Sequence, residues 1–431
     1  MVLSVLLCLT FAGAPGIENL EKAVEKVNPK VITWRRHFHQ YPELSNREKK
    51  TAQKIAEHLR TLGLEVQTGI AHTGVVGILR GGKPGAVVGL RADMDALPVT
   101  ERGELPFKSE VVTEYNGQKV GVMHACGHDT HMAILMGVAE VLAGMKEQIP
   151  GTVKFIFQPA EEGPPKGEEG GASMMVEQGV LKNPDVDAIF GLHISSLMDV
   201  GYVGFNDSAL LASSDDFRIL IKGRQAHGST PWMSADPITT GAQIVSALQT
   251  IVSRELDISK RPAVVSVGSF RGGVRSNIIP EEVEIIGTIR SLDMGMRKQI
   301  HEALRRKATL IAKSMNTEAI VEVPYSNAYP VTVNNKELVK EMLPSIVAAL
   351  GMGAKQRIIE MKPLLGAEDF SCYALEVPGF FFFLGGKPLK QLVDKTPSHH
   401  TPDFFIDEGS LVLGVRTLSR LALDFLVNRE K

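Results

Sequence analysis

"AVVGLRADMDALP", residues 86–98, runs through five apolar or glycine positions and then breaks into Asp93 and Asp95. The run is too short for a helix and shows no polar alternation, so it reads as a strand buried on both faces. Three other segments follow the same plan. "VKFIF" (153–157) runs into "QPAEEG", with Glu161 and Glu162; "VDAIFG" (186–191) ends at "LH", with His193. "FFFFLGG" (380–386) leads on to "PSHHTP" (397–402), with His399 and His400. Between these runs and "GVVGIL" (74–79) lie helical stretches, notably "HMAILMGVAEVLAGM" (131–145) and "GASMMVEQGVL" (171–181). Strands alternating with helices predict an α/β layer around a largely buried sheet. In such a sheet ligands collect in the crevice outside the carboxyl ends of the strands. Carboxylates and imidazoles set there can converge on one point, together with Cys126 and His128 of "HACGHDTH" (124–131).

Working outward, Ser45 with Glu48 forms a capping-box pattern that predicts a helix stopped by Gly63, with Ala52, Ile55, Ala56 and Leu59 on its apolar face. From about residue 207 the pattern changes. "FRILIKG" (217–223) alternates like a half-exposed strand, and "DPITTGAQIVSALQTIVSREL" (236–256) reads as a long helix. "AVVSVGSF" and "EEVEIIGTIR" are strand-like; a helix over 294–315 and the strand "EAIVEV" follow. That order is βαββαβ, the ferredoxin-like unit. After "VPYSNAYP" (323–330) the α/β character returns, ending in a helix from about Asp407. The expected organisation is a catalytic domain over 17–206 and 326–431 with a small domain, 207–325, inserted. No internal repeat or low-complexity tract interrupts it.

The chain has 431 residues, 44% hydrophobic and 22% charged, with a formal net charge of −2. That length argues for two domains. The charge gives no electrostatic footprint for nucleic acid or an anionic membrane. "MVLSVLLCLTFAGAPG" (1–16) is an apolar run with a small-residue end, too short to span a bilayer and without a basic residue in front. It is read as a signal peptide, which implies a periplasmic or secreted protein, with a cytoplasmic one as the alternative. Three cysteines, Cys8, Cys126 and Cys372, make no disulfide framework.

Each polar group taken alone has an ordinary reading. A histidine at a strand end is usually hydrogen-bonded structure, and a pair such as Glu161–Glu162 is usually a solvated turn. Together, thiolate, imidazole and carboxylate are the donor set of Zn²⁺, with Mn, Co or Ni as other borderline cations. A nucleophilic Cys126 with His128 as base is the competing reading. It leaves Glu161, Glu162, His193 and His400 unemployed. A structural zinc site is disfavoured because its ligands would be clustered in sequence, whereas these span 126 to 400.

"RADMDALP", "MHACGHDTHMA", "FQPAEEG", "GLH", "HGSTP", "GGVRSNIIP", "GAEDFS" and "HHTPDFFIDE" occur in that order over roughly residues 30–428. In this the chain resembles the M20 metallopeptidases, in the amidohydrolase branch of hippurate hydrolase, N-acyl-amino-acid amidohydrolases and auxin-conjugate hydrolases. The resemblance implies a mixed-sheet, zinc-peptidase-like catalytic domain with the inserted unit as lid and dimerisation domain. It implies two divalent metals per chain, a homodimer, and a small N-acyl amino acid or short peptide as substrate. By motif position, Cys126 matches the bridging ligand, and His128, Glu162, His193 and His400 the others. Glu161 matches the general base. Where other branches carry His-x-Asp this chain has Asp93 and Asp95, so Asp93 is not carried over as a ligand, and Asp95 is expected to orient one. The resemblance gives His227 a role at the substrate carbonyl of a neighbouring subunit, and makes Asn277, Arg290 and Glu368 candidate substrate contacts. His124 and His131 are expected to be structural. The reaction implied is hydrolysis of the amide of an N-acyl amino acid, with a metallo-carboxypeptidase or dipeptidase on the same scaffold as the alternative. A catalytically silent binding protein is the rival of another class, and a proton-handling Glu161 beside a full ligand set argues against it.

Overall fold

The computed structural model describes residues 17–430, residue 327 excepted. The leader and Cys8 lie outside these residues. The chain divides into two compact units. One takes the chain up to residue 204, then 341–359 and 381 onward; the other takes 205–340 and 360–380.

The first unit is built on an eight-stranded sheet. In spatial order its strands are Glu65–Ile70, Gly74–Arg80, Pro150–Gln158, Lys83–Asp93, Ala188–Asp199, Gly379–Lys387, Val203–Phe205 and Ile358–Glu360. Lys83–Asp93 runs parallel to both its neighbours, while the Glu65–Ile70, Gly74–Arg80 and Pro150–Gln158 strands pair antiparallel. The sheet is therefore mixed. Pro150–Gln158 and Gly379–Lys387 are buried at every position, which is why their sequences read as continuous apolar runs. Helix His128–Ala143 is buried almost all round, and it packs against helices Ile17–Gln40 and Gly409–Val427. Among the described residues no helix is long and apolar enough to cross a membrane.

Helix Lys49–Thr61 forms with Ile55, Ala56 and Leu59 buried, but the expected capping box does not. Ser45 Oγ instead donates to Asp95 Oδ2 at 2.7 Å, and Glu48 accepts from Thr73 Oγ1 at 2.6 Å and from the Ala160 amide at 3.0 Å. Buried long-range partners outcompete the local cap, because an unpaired Asp95 or Ala160 amide inside the unit would cost more than a solvated helix end.

The second unit holds a sheet with strands in the order Ala263–Arg271, Glu282–Ser291, Ser213–Lys222, Glu318–Glu322, all pairings antiparallel. This is the ferredoxin-like order of a βαββαβ unit. Its helices are Pro237–Thr250, which continues as a π-helical turn Ile251–Glu255, and Met294–Ser314. Ser213–Lys222 alternates buried and half-buried residues, and Phe217, Ile219 and Ile221 enter a core with Ile244, Ile285 and Ile300. The expected return to the catalytic domain at residue 326 is corrected by the pairing. Ala328–Tyr329 adds to Ser213–Lys222, and Thr332–Val333 pairs with Ala209–Leu211. Thr332 Oγ1 also donates to the Glu368 carbonyl at 3.0 Å. These contacts draw 326–340 and 360–380 into the second unit.

Candidate metal centre

Parallel register delivers the polar residues of the first unit to one end of the sheet. Asp93 stands opposite Gln158, and Arg91 opposite Gly191. Asp95 and Glu161 therefore follow the carboxyl ends of two adjacent strands, while His193 lies within the third, Ala188–Asp199, just past its pairing with Lys83–Asp93. His128 joins them as the first residue of helix His128–Ala143. The preceding Gly127 has φ 92°, and a Cβ there would stand 2.3 Å from Ile194 Cγ2, so only glycine suits both the turn and the space.

Asp95 organises the acidic pair. Its Oδ1 accepts the Glu161 amide and its Oδ2 the Glu162 amide, both at 3.0 Å, and Oδ1 lies 3.4 Å from His128 Nδ1. Glu48 holds Ala160, at φ 53°, immediately before them. Asp93 is held by other partners, although its Oδ1 stands 3.7 Å from His128 Nδ1 and its ligand atom falls within 4.8 Å of those of His128 and His131. Arg91 Nη1 donates to its Oδ2 at 2.6 Å, and His131 Nδ1 donates to its Oδ1 at 2.6 Å. His131 Nε2 in turn accepts the amide of Ile194, beside His193, at 2.8 Å.

The remaining donors face one another. Cys126 Sγ lies 3.4 Å from His193 Nε2 and 3.3 Å from His400 Nε2, and His400 Nε2 lies 3.0 Å from Glu162 Oε1. His128 Nε2 lies 3.8 Å from Glu161 Oε2 and 3.9 Å from Glu162 Oε1. The ligand atoms of Cys126, His128 and His193, of Cys126, Glu162 and His400, and of His128, Glu161 and Glu162 each fall within 4.8 Å of one another. The His399–His400 pair splits. His399 Nδ1 donates to the Cys126 carbonyl at 3.2 Å and its Nε2 accepts the Ser196 amide at 3.1 Å, whereas His400, at φ 63°, turns to the cluster.

These residues fit a divalent cation. His128 is fully buried, yet neither ring nitrogen makes a hydrogen bond, an arrangement that is costly without a partner. Burial disfavours its cationic form, but Asp93, Asp95 and Glu162 raise its pKa to about 10, so the site attracts positive charge. His193 is pushed far the other way by burial, with His131 and His399 adding to it. Its Nδ1 donates to the Ile194 carbonyl at 2.6 Å, which leaves the Nε2 lone pair toward Cys126, the tautomer of a ligand. Burial, Glu162, Glu161 and Asp93 push the Cys126 thiol well up. A nucleophilic cysteine needs the opposite environment, whereas a bound cation stabilises a thiolate there. Among the described cysteines neither Cys126 nor Cys372 is in a disulfide.

The other candidates lie in the second unit. His227 sits on a two-stranded ribbon, Ala226–His227 against Ile278–Ile279, and the Gly228 amide donates to the Asn277 carbonyl at 2.9 Å. The ribbon thus sets His227 and Asn277 side by side, both exposed. The Ser229 amide donates to His227 Nδ1 at 3.1 Å, so the proton sits on Nε2. Arg290 is half-buried on its strand and donates to Thr288 Oγ1 at 2.5 Å and to the Ile289 carbonyl at 2.9 Å. Glu368 is buried, and its Oε1 accepts the Phe370 amide at 2.9 Å.

Sequence reading missed Ser45 and Glu48 as supports of the acidic pair, Arg91 as the partner of Asp93, and the buried His39, Glu101 and Asp129 described below. No spacing marks most of them, since the partners of Ser45, Glu48 and His39 lie 25 to 112 residues away. His124 is buried, and burial together with nearby His128 and His39 lowers its pKa to about 3, so it stays neutral.

A mixed α/β sheet carrying thiolate, imidazole and carboxylate donors at its strand ends defines a hydrolytic metal centre of the peptidase type. The chain matches the Peptidase family M20/M25/M40 over residues 89–424, and it belongs to that family. It is 41% identical over 411 residues to thermostable carboxypeptidase 1 of Saccharolobus solfataricus, covering 95% of this chain and 98% of that protein. It is 36% identical over 395 residues to the N-acetylcysteine deacetylase of Bacillus subtilis, covering 91% and 96%. A dinuclear-metal-binding M20 peptidase of Bacillus subtilis superposes with a TM-score of 0.75 at 33% identity, covering 94% of this chain and 99% of that one. The chain is a metal-dependent hydrolase of amide bonds.

Proposed function

We propose that this chain hydrolyses the amide of N-acyl amino acids, releasing a carboxylic acid and the free amino acid. The observation that carries this reading is the convergence of Cys126, His128, Glu162, His193 and His400 beside Glu161, a carboxylate whose backbone Asp95 fixes. In this reading those five would hold two divalent ions, of Zn, Mn, Co or Ni, with Cys126 as the ligand that would serve both. Divalent metal at such a site supplies an acidified water and a polarised carbonyl.

Glu161 takes a proton from the attacking water and delivers it to the leaving amine nitrogen. Asp95 keeps Glu161 and Glu162 at their angles by accepting both amides. His227 presents its Nε2–H outward, and in a homodimer it would meet the developing oxyanion in the neighbouring subunit. Asn277 would act beside it, Arg290 would take the substrate carboxylate, and Glu368 would line the substrate. The inserted unit would serve as lid and dimer contact, and the leader would direct the chain to the periplasm or outside.

A peptidase reading is second, favoured by the carboxypeptidase relative, since a C-terminal peptide bond also presents an amide beside a carboxylate. One experiment tests both. Metal per chain is quantified on protein purified without chelator, and N-acetyl amino acids, N-benzoyl amino acids and dipeptides are assayed together. Near two metals with selective acyl-amino-acid cleavage is the expected result. Preferential dipeptide cleavage moves the activity to the peptidase reading, and no metal with no activity on metal addition overturns the site.

A further inference from the structure

Helix His128–Ala143 begins without a side-chain cap, because Gly127 precedes it. Its first turn is held from outside the helix. Asp129, next to His128, uses Oδ1 to accept the Thr130 amide at 2.9 Å. Asp129 Oδ2 lies 2.8 Å from His39 Nδ1 and 3.0 Å from Arg35 Nε, all three side chains being fully buried. His39 has a second engagement. Its Nε2 lies 3.3 Å from Glu101 Oε1, and Glu101 Oε2 accepts the Ser109 amide at 2.7 Å. The next residue, Arg102, donates its amide to the Pro402 carbonyl at 2.9 Å, and its Nε pairs with Asp403 Oδ1 at 3.1 Å. Pro402 stands two residues after His400. One imidazole therefore links the turn that carries His128 to the loop that carries His400.

Both ring nitrogens of His39 face carboxylates. An ionised carboxylate only accepts, so two such bonds need two N–H groups, and His39 is an imidazolium. The groups around it are Asp129 and Glu101, the Arg35 guanidinium, and the edge-on ring of Phe107 with centroids 5.6 Å apart. His39 and Arg35 oppose Asp129 and Glu101, and Arg35 also reaches Glu408 Oε1 at 3.4 Å, so each buried charge has a partner of opposite sign, which is what makes the cluster tolerable without water. Burial works against the cation, and the two carboxylates more than offset it, raising the His39 pKa. We propose that His39 is a positioning residue that fixes the His128 turn and the His400 loop to one another through Asp129 and Glu101. The inference rests on the ligand assignment of the preceding section.

Asn and Gln substitutions separate the two arms, since the Asn amide nitrogen falls near Nδ1 of histidine and the Gln amide nitrogen near Nε2. His39→Asn keeps the link to Asp129 and His39→Gln the link to Glu101. Metal-free full-length proteins are titrated with cobalt(II), following the visible d–d bands and the ultraviolet thiolate-to-cobalt band, with Tm measured in parallel. Wild type takes up cobalt, and each variant is expected to bind it about 10- to 100-fold more weakly, with shifted d–d bands, as outer-shell changes at metal sites do. Glu101→Gln keeps an acceptor for the Ser109 amide but turns an NH2 toward His39 Nε2, removing the charge and that hydrogen bond together, so it serves where a His39 variant does not fold, with the same direction expected. Cobalt affinity and spectra equal to wild type in the folded variants, even with a lower Tm, overturn the inference and leave His39 as packing alone. Wild-type protein that takes up no cobalt overturns the ligand assignment and this inference with it.

Discussion

The metal centre and the His227–Asn277 ribbon both hold candidate chemistry, but they are built in opposite ways. Around Cys126 and His128 the supporting groups are mostly buried and tied to distant partners, although His400 itself is exposed. Asp95 to Glu161, Glu48 to Ala160, His131 to Ile194 and His39 to Asp129 all cross between elements. On the ribbon His227 and Asn277 are exposed, and the contacts that orient them come from within a few residues or from the paired strand. A buried polar group left without its partner costs more than an exposed one, which water re-solvates. The centre should therefore lose metal or fold when its supports are cut, and the ribbon should lose only catalysis.

The sharpest separation within the centre is expected from Glu161→Gln, which removes the proton acceptor and keeps shape. Turnover should fall by about 10²- to 10⁴-fold with metal content unchanged by elemental analysis; activity within threefold of wild type would take the base role away from Glu161. Next in size is Cys126→Ser. Metal retained after dialysis should drop, and full retention would mean the thiolate holds nothing. Gly127→Ala places a methyl 2.3 Å from Ile194 at positive φ, so it should destabilise by about 2–4 kcal/mol and weaken metal binding. A Tm within a degree of wild type would show that the turn yields. His227→Ala makes the contrasting case: kcat/KM should fall about 10²-fold while Tm and metal content stay at wild-type values. A loss of metal in this variant would erase the distinction between the two regions.

The smallest effect expected concerns pH. Burial, aided by Asp95, raises the Glu48 carboxyl to about 8, well above its unfolded value. The folded protein then binds a proton that the unfolded chain has released, so stability should fall as pH rises from about 5 to 8. Glu48→Gln should flatten that slope in the metal-free protein. Parallel Tm–pH curves for wild type and variant would show that Glu48 titrates normally.

Periodicity made the buried strands and the βαββαβ order of the second unit legible, because strand and helix spacing are local consequences of which face is buried. The polar residues at strand ends were legible as a candidate site for the same reason, since parallel strands aim their carboxyl ends one way. The Ser45–Glu48 capping box misled because its residues are drawn to Asp95, Thr73 and Ala160, partners that no local pattern reveals. The return boundary at 326 misled because short strands past it pair back into the second unit.

By itself, then, the sequence determined the elements, their alternation and the donor set, all written in residue type and spacing. Tertiary structure alone decided which donor faces which. It gave His399 to the Cys126 carbonyl and the Ser196 amide, paired Asp93 with Arg91 and His131, and buried His39 between two carboxylates. Those choices belong to packing, where the cost of an unpaired buried polar group selects one arrangement among many that residue order leaves open.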